Sequence, residues 1–120
     1  MSKIALQVLA NADVYELEFD SETSLKVLQT AVDGLIQPVD ITAKLTMWVN
    51  EEGLFRSDFE QNILATAFMP DGASPIMGPA VFTGGVDDNG ETLGLSREDA
   101  DSIRALANNV KELASYWAKV

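Results

Sequence analysis

Hydrophobic and polar positions alternate near the amino terminus in a way that predicts a β-hairpin. Val14 to Phe19 alternates strictly, with Tyr15, Leu17 and Phe19 on one face and Val14, Glu16 and Glu18 on the other. Lys3 to Leu9 alternates less regularly, and the turn residues at 10–13 join the two runs. We expect a hairpin with one solvated face.

Helical spacing of apolar residues appears in three later segments. The first runs from about Ser21 to Asp33, where Asp20 or Ser21 can cap the helix and Gly34 can end it in a left-handed conformation ahead of Pro38. The second would be capped by Ser57 or Asp58 and continue to Phe68. Its expected inner face comprises Phe59, Ile63, Ala67 and Phe68, with Leu64 at the edge.

The last helix has the clearest local signals. Ser96 is placed to cap it, with Asp99 at the capping-box position. Its apolar positions follow the helical period: Ile103, Leu106, Ala107, Val110, Leu113, Ala114 and Trp117. We expect this long amphipathic helix to close the core over one sheet face, or alternatively to mediate dimerisation.

The stretch from Met47 to Leu95 contains the remaining strand signals. Lys44 to Val49 is a predicted strand, followed by a turn at 50–53 and an apolar pair, Leu54 and Phe55, that could be a brief hairpin return. Ile76 to Thr83 is the most apolar strand candidate and is entered through Gly78-Pro79. Further along, 84–91 is a turn and Thr92 to Leu95 a short returning strand, whereas Val39 to Ile41 is ambiguous.

These elements predict an α+β fold with about three helices. The order of strands and helices favours a small, mainly antiparallel sheet with the helices on one face. At 120 residues, the chain 1–120 is expected to form a single domain.

Composition narrows the possible chemistry. The chain has no cysteine and no histidine, which excludes disulfides, thiolate nucleophiles, imidazole metal ligands and the histidine-dependent catalytic triads. We therefore expect a protein that is not an enzyme and that needs no cofactor.

The net charge of −11 restricts the kinds of molecule that the protein is expected to bind. Such a field repels nucleic-acid phosphates, so no direct nucleic-acid binding is expected. The acidity either serves solubility or presents carboxylates to a basic protein surface. No apolar run is long enough to span a membrane. The apolar stretch that follows Met1-Ser2-Lys3 is too short for a signal peptide. We therefore expect a cytoplasmic protein without membrane contact.

Two loops resemble ligand-binding motifs only superficially. Counting from Asp87, the acidic loop lacks the central glycine of a calcium-binding EF-hand, so a tight turn is favoured and no metal is expected. Gly84-Gly85 lacks the lysine of a phosphate-binding loop. The pair Glu51 and Glu52 is interpreted as surface charge rather than as catalytic carboxylates.

The candidate site is therefore a protein interface. Trp48 faces away from Leu45, Met47 and Val49, so it is either covered by a second layer or exposed as a binding anchor. Acidic residues concentrate at 13–22 and at 87–101, and would form one negative face if these regions meet. The interface candidates are Trp48, Glu51, Glu52, Asp87, Asp88, Glu91, Glu98, Asp99 and Asp101.

A linked order of blocks between Leu35 and Leu95 resembles a known family. The blocks are Met47 to Leu54, Asn62 with Ala65 to Ala67, Gly78 to Ala80, Gly84 to Asp88, and Gly90 to Thr92. The pattern is similar to a domain-of-unknown-function family of small proteins that is common in actinobacteriophage genomes and also occurs in bacteria and mobile elements. Family members often have Asn-Pro where this chain has Asn62-Ile63. The resemblance implies phage or phage-derived origin and action inside a bacterial host, but no activity and no catalytic residues.

Three functions are consistent with these observations. The first is a non-enzymatic phage accessory protein that binds a host protein through an acidic surface, in a host-takeover or anti-defence role. The second is a small-ligand or nucleotide sponge built around Gly78-Pro79 and Gly84-Gly85, provided that Arg56, Arg97 or Lys44 converge there. The third is a minor virion or assembly component. A monomer and a homodimer are both open.

Overall fold

A computed structural model of the chain describes residues 2–118, with side chains described up to residue 116. The order of elements is β1 (Lys3–Val8), β2 (Val14–Phe19), α1 (Ser24–Val32), β3 (Ile36–Thr42), β4 (Leu45–Asn50), a 3-10 turn (Gly53–Phe55), α2 (Ile63–Ala67), β5 (Ala80–Thr83) and α3 (Arg97–Ala118). The predicted α+β class, with three α-helices in the described chain, is confirmed. No helix among the described residues is both long enough and apolar enough to cross a membrane.

The strands form one five-stranded sheet in the order β2-β1-β5-β4-β3. Every pairing is antiparallel, and the β1–β2 and β3–β4 hairpins flank β5 on either side. The predicted antiparallel sheet and amino-terminal hairpin are therefore confirmed, and β2 and β3 are its outer strands.

Helices cover both faces of the sheet, so the expectation of helices on one face is wrong. On one face, α1 packs Leu28 and Val32 against Val81. On the other face, α2 and α3 pack against Leu6 and Phe82. The hairpin accordingly lacks a fully solvated face. The physical reason is that the inner strands β4 and β5 carry apolar side chains at consecutive positions, and a strand of this kind needs burial on both sides.

Helix α1 is shorter at its start than predicted. The Asp20 side chain accepts hydrogen bonds from the Glu22 and Thr23 amides, both at 2.9 Å, and this closes a turn before the helix begins at Ser24. At the other end, Asp33 rather than Gly34 has the left-handed conformation, with φ of 60°. Asparagine and aspartate accept this conformation more readily than other residues with a Cβ.

Helix α2 differs from the prediction in both start and register. Its cap is Asn62, whose side-chain oxygen accepts the Ala65 amide at 3.0 Å, so neither Ser57 nor Asp58 begins a helix. Leu64 and Ala65 are buried, whereas Ile63 is 56% exposed and Ala67 is exposed, contrary to the expected inner face. The buried cap decides which side of this short helix faces the core.

Strand boundaries differ where proline or glycine interrupts pairing. Pro38 lies inside the outer strand β3, where a missing amide donor is tolerated, and β3 includes the ambiguous residues 39–41. Strand β5 begins only at Ala80 because Gly78, with φ of 83°, and Pro79 precede it. Leu54 and Phe55 form a 3-10 turn instead of a hairpin return.

The chain turns back after β5, but the predicted short strand at Thr92 to Leu95 is wrong, because Val86 and Thr92 are joined only by an isolated bridge. The Gly84 amide donates to the Leu93 carbonyl at 3.0 Å and the Leu93 amide to the Gly85 carbonyl at 2.8 Å. The contact is a short return and not a regular strand.

Helix α3 begins as predicted, because the Ser96 hydroxyl accepts the Asp99 amide at 3.1 Å. Its first half closes the core through the buried residues Ala100, Ile103 and Ala107. Residues 111–116 are all exposed, and Leu113 is 61% exposed. The predicted closing face is therefore confirmed only for the first half, and the predicted packing of Trp117 lies outside the described side chains.

Candidate interaction surfaces

The strand register divides the candidate residues between the two ends of the sheet. Lys3, Phe19 and Thr83 lie at one end, which we call the Thr83 end. Val8, Ala80 and Asn50 lie towards the other, which we call the Asn50 end. The predicted acidic residues at 87–101 follow β5 and belong to the Thr83 end, whereas Glu51 and Glu52 follow Asn50. The sequence candidates therefore do not form one continuous site.

The acidic residues at the Thr83 end occupy a tight turn and the start of α3. Asp87 Oδ1 accepts the Asn89 amide at 2.8 Å and the Glu91 amide at 2.9 Å, which builds the turn predicted from the sequence. The Leu95 amide donates to the Ile4 carbonyl at 2.8 Å and fixes the helix start beside β1. None of the ion pairs in the described part of the chain includes these acidic residues: Asp87, Asp88, Glu91, Glu98, Asp99 and Asp101.

This acidic end does not resemble a metal or phosphate site. Among the described residues, no group of three or more potential ligands is arranged to hold a metal ion. A Cβ on Gly84 would collide with the Gly94 carbonyl oxygen, and one on Gly85 with the Ala43 carbonyl oxygen. These glycines therefore let the chain pack closely on itself, as a bend requires.

The basic residues considered for a ligand site do not converge. Arg56 lies at the Asn50 end, where its Nη2 contacts Asp33 at 2.8 Å and Asp58 at 2.7 Å. Lys44 follows β3 at the Thr83 end, and Arg97 opens α3. The hydrogen bonds that Arg56 donates to Asp58 and Asp33 raise the pKa of Arg56 above its usual value, so its charge is already matched by two carboxylates.

At the Asn50 end, a buried asparagine holds an exposed turn. The Asn50 side-chain amide donates to the carbonyls of Val32 at 3.0 Å and Asp33 at 3.1 Å, and its oxygen accepts the Glu52 amide at 2.8 Å. Gly53 packs so closely on Met77 that a Cβ would lie 3.0 Å from the Met77 carbonyl oxygen. The backbone of this turn is therefore tied to the body of the protein on two sides.

The turn presents apolar side chains beside carboxylates. Phe55 is 88% exposed, Leu54 is 56% exposed, and Leu35, whose carbonyl accepts the Glu51 amide at 2.8 Å, is 55% exposed. Glu51 and Glu52 are also exposed. We call this set the Phe55 patch, and it consists of Leu35, Glu51, Glu52, Leu54 and Phe55.

A crevice adjoins the Phe55 patch. It has a volume of about 170 Å³ and is lined in part by Leu54, Val39, Ile76 and Met77. Its mainly apolar walls come from β3, β4, the 3-10 turn, Met69 and residues 74–77, which precede β5. The crevice is therefore an apolar recess beside Leu54 of the Phe55 patch.

The Trp48 side chain lies on the face of the sheet that α1 covers, and it does not belong to the Phe55 patch. Its indole nitrogen donates to the Thr83 hydroxyl at 2.9 Å, and its ring packs against the cluster under α1. The sequence left open whether Trp48 is covered by a second layer or exposed as a binding anchor. The structure shows that it is covered. Phe55 was missed as an exposed aromatic because a Leu-Phe pair after a turn is equally compatible with a returning strand.

The acidic hairpin contacts basic residues of α3. Lys111 pairs with Asp13, and Arg104 pairs with Glu16 at 3.5 Å. Hydrogen bonds from Lys111 and Asn11 lower the pKa of Asp13 below its usual value. Glu16 faces α3, whereas Trp48 faces α1, so the hairpin carboxylates and Trp48 are on opposite faces of the sheet.

Comparison with known proteins gives one family. The sequence profile of a family described as a domain of unknown function, DUF3846, matches residues 4–108. The match includes the amino-terminal hairpin and the first half of α3, which lie outside the segment Leu35 to Leu95 that carried the resemblance. Neither the curated proteins nor the solved structures yield a match.

Proposed function

The chain belongs to the DUF3846 family of domains of unknown function. We propose that it is a non-enzymatic accessory protein of phage origin that binds a host protein. The phage origin rests on the resemblance to a family common in actinobacteriophages. The binding surface is acidic and the partner carries a basic surface. The protein acts in the host cytoplasm, as a monomer or a homodimer, in a host-takeover or anti-defence role.

The observation that carries this proposal is the Phe55 patch. Interaction hot spots combine a protruding aromatic or aliphatic anchor with a polar rim, and Phe55 with Glu51 and Glu52 has this arrangement. The buried side chain of Asn50 holds the turn in place, so little conformational entropy is lost on binding. The net charge of −11 favours a basic partner and accelerates the encounter with it.

Capture from host lysate tests the proposal. We expect the tagged protein to retain a specific host protein at low salt and to retain less of it at high salt, because added ions screen the carboxylates. The variant Phe55→Ala should weaken the complex by at least about tenfold, the effect of losing one hot-spot anchor. The double variant Glu51→Lys, Glu52→Lys should slow association and weaken its salt dependence.

Leu25→Ala is the matched control for Phe55→Ala. Leu25 is 58% exposed on α1, away from the Phe55 patch, so its truncation should leave the complex intact. Recovery of no specific host protein, or equal loss with Leu25→Ala, would reject the proposal.

A nucleotide-binding role has less support. The glycines considered for a ligand cradle pack against the chain itself, and the basic residues lie at different ends of the sheet. A thermal-shift screen with nucleotides separates the two roles, because a ligand that binds only the folded state raises the melting temperature.

A further inference from the structure

The two outer strands of the sheet differ in how well they are protected against further pairing. Strand β3 contains Pro38 and has an irregular register between Asp40 and Thr42, features that commonly prevent edge-to-edge association. Strand β2 contains neither, and it pairs with β1 without interruption from Lys3↔Phe19 to Val8↔Val14. No strand of the described chain pairs with the outer edge of β2, which leaves its backbone able to accept another strand.

A cleft runs between this edge and α1. It has a volume of about 500 Å³, and Leu17, Val27 and Ala31 form its apolar part. Gln7 at its base donates to the Ala31 carbonyl at 2.9 Å and ties the helix to β1. The exposed side chain of Thr30 lies at its rim. Such a cleft can take side chains of an extended peptide that lies along β2.

The two faces of β2 specify what the peptide should carry. Leu17 lines the cleft, and alternation along the strand places Tyr15 and Phe19 on the same face. Alternation along β2 places Glu16 and Glu18 on the α3 face, where Arg104 contacts Glu16 at 3.5 Å, and Glu18 and Lys26 also border the cleft. Side chains on the same face of adjacent strands interact, so an added strand would place apolar residues at the cleft and basic residues opposite the glutamates.

We propose that the β2 edge and the α1–β2 cleft bind an extended segment of another protein in which apolar residues alternate with lysine or arginine, by strand addition. A second copy of this chain fits poorly, because pairing of two β2 edges would bring the Glu16 and Glu18 side chains of both copies together. The surface is distinct from the Phe55 patch, so this inference and the proposed host-protein interface can fail independently.

The test uses a synthetic peptide that repeats Lys-Val four times, with both ends blocked and a fluorescent label. We expect saturable binding to the full chain by fluorescence anisotropy at peptide concentrations below about 1 mM, the weak end of specific binding. In NMR spectra, the largest amide shifts should fall on residues 14–19 and on the cleft side of α1. Lack of binding, or shifts centred on the Phe55 patch, would overturn the proposal.

Matched variants and peptides separate strand addition from charge attraction alone. Glu18→Lys should weaken binding at least about threefold, because it replaces a favourable cross-strand pair by a repulsive one, whereas Asp71→Lys makes the same charge change elsewhere and should not. Thr30→Trp should fill the cleft and weaken binding, whereas Ser102→Trp on α3 should not.

The peptide controls address the backbone and the charge. A peptide methylated on every backbone nitrogen should not bind, since neither of its edges can donate the strand hydrogen bonds, and a Glu-Val repeat should bind far more weakly. Equal affinity for either control peptide, or equal effects of Glu18→Lys and Asp71→Lys, would contradict the proposal. So would a dimer of the chain alone that Glu18→Lys disrupts.

Discussion

At the scale of single residues, two buried asparagines connect distant parts of the chain. Asn62 is fully buried, and its side-chain amide donates to the carbonyls of Val8 and Gly78, each at 3.0 Å, while its oxygen caps α2. Asn50 performs the corresponding role at the Phe55 patch. Asparagine is a common turn residue, so its presence in the sequence does not predict these long-range bonds.

We predict that Asn62→Ala lowers the free energy of unfolding by about 3 kcal/mol, because two buried carbonyls and a helix amide lose their partner. The measurement is urea denaturation followed by circular dichroism. Asn108→Ala, on the exposed side of α3, is the control and should change stability by less than about 0.5 kcal/mol. A loss below about 1 kcal/mol for Asn62→Ala would mean that water satisfies these carbonyls.

At the scale of elements, α3 consists of two halves with different surroundings. The first half packs on the sheet through Ile103, which is 1% exposed. The second half continues past the sheet with exposed apolar residues, including Leu113. The apolar period continues through both halves, so helical spacing predicts the helix but cannot indicate where its packing surface ends.

Ile103→Ala and Leu113→Ala should therefore have unequal effects on stability. The first removes buried methyl groups and should lower the free energy of unfolding by about 3 kcal/mol, whereas the second should change it by less than about 0.5 kcal/mol. Urea denaturation at several protein concentrations measures both. A comparable loss for Leu113→Ala that depends on protein concentration would instead show that the second half of α3 is buried in a dimer.

At the scale of the whole molecule, charge is unevenly compensated. The described ion pairs involve the hairpin and the Arg56 region, while the acidic residues at 87–101 remain outside them. Hydrogen bonds from Lys111 lower the pKa of Asp13, those from Thr23 lower that of Asp20, and those from Arg56 lower that of Asp58, each from an ordinary value of 3.8. All three carboxylates are therefore better stabilised as anions in the folded chain.

This predicts a loss of stability in acid. A carboxylate with a depressed pKa contributes its stabilisation fully above the unfolded-state pKa, and the contribution disappears as the pH falls through the folded-state pKa. The free energy of unfolding should thus begin to decrease near pH 4, where these carboxylates protonate in the unfolded chain. It should decrease further as the pH falls through their lower pKa values in the folded chain. Urea denaturation across this range, with the triple variant Asp13→Asn, Asp20→Asn, Asp58→Asn compared with the parent at each pH, measures the effect.

The triple variant should show a weaker pH dependence than the parent. Asp71→Asn, an exposed carboxylate in the loop after α2, should leave the profile unchanged. Parallel profiles for the parent and the triple variant would refute the assignment of acid sensitivity to these groups.

The sequence alone determined the features that depend on composition or on a few neighbouring residues. These are the excluded thiol and imidazole chemistry, the strong acidity, the α+β class, the amino-terminal hairpin, the Asp87 turn and the Ser96 cap. Each follows from residue types or from patterns a few residues long, and such local preferences are read directly from the chain.

Only the tertiary structure decided the features that depend on distant contacts. The central position of β5 places apolar side chains on both sheet faces, where α1 covers one face and α2 with α3 the other, and Trp48 is partly buried on the α1 face. The buried Asn62 sets the register of α2, and the buried Asn50 holds Phe55 at the surface. In each case the residue's surroundings come from segments far away in sequence, so the same local pattern is compatible with burial or exposure until those segments are in place.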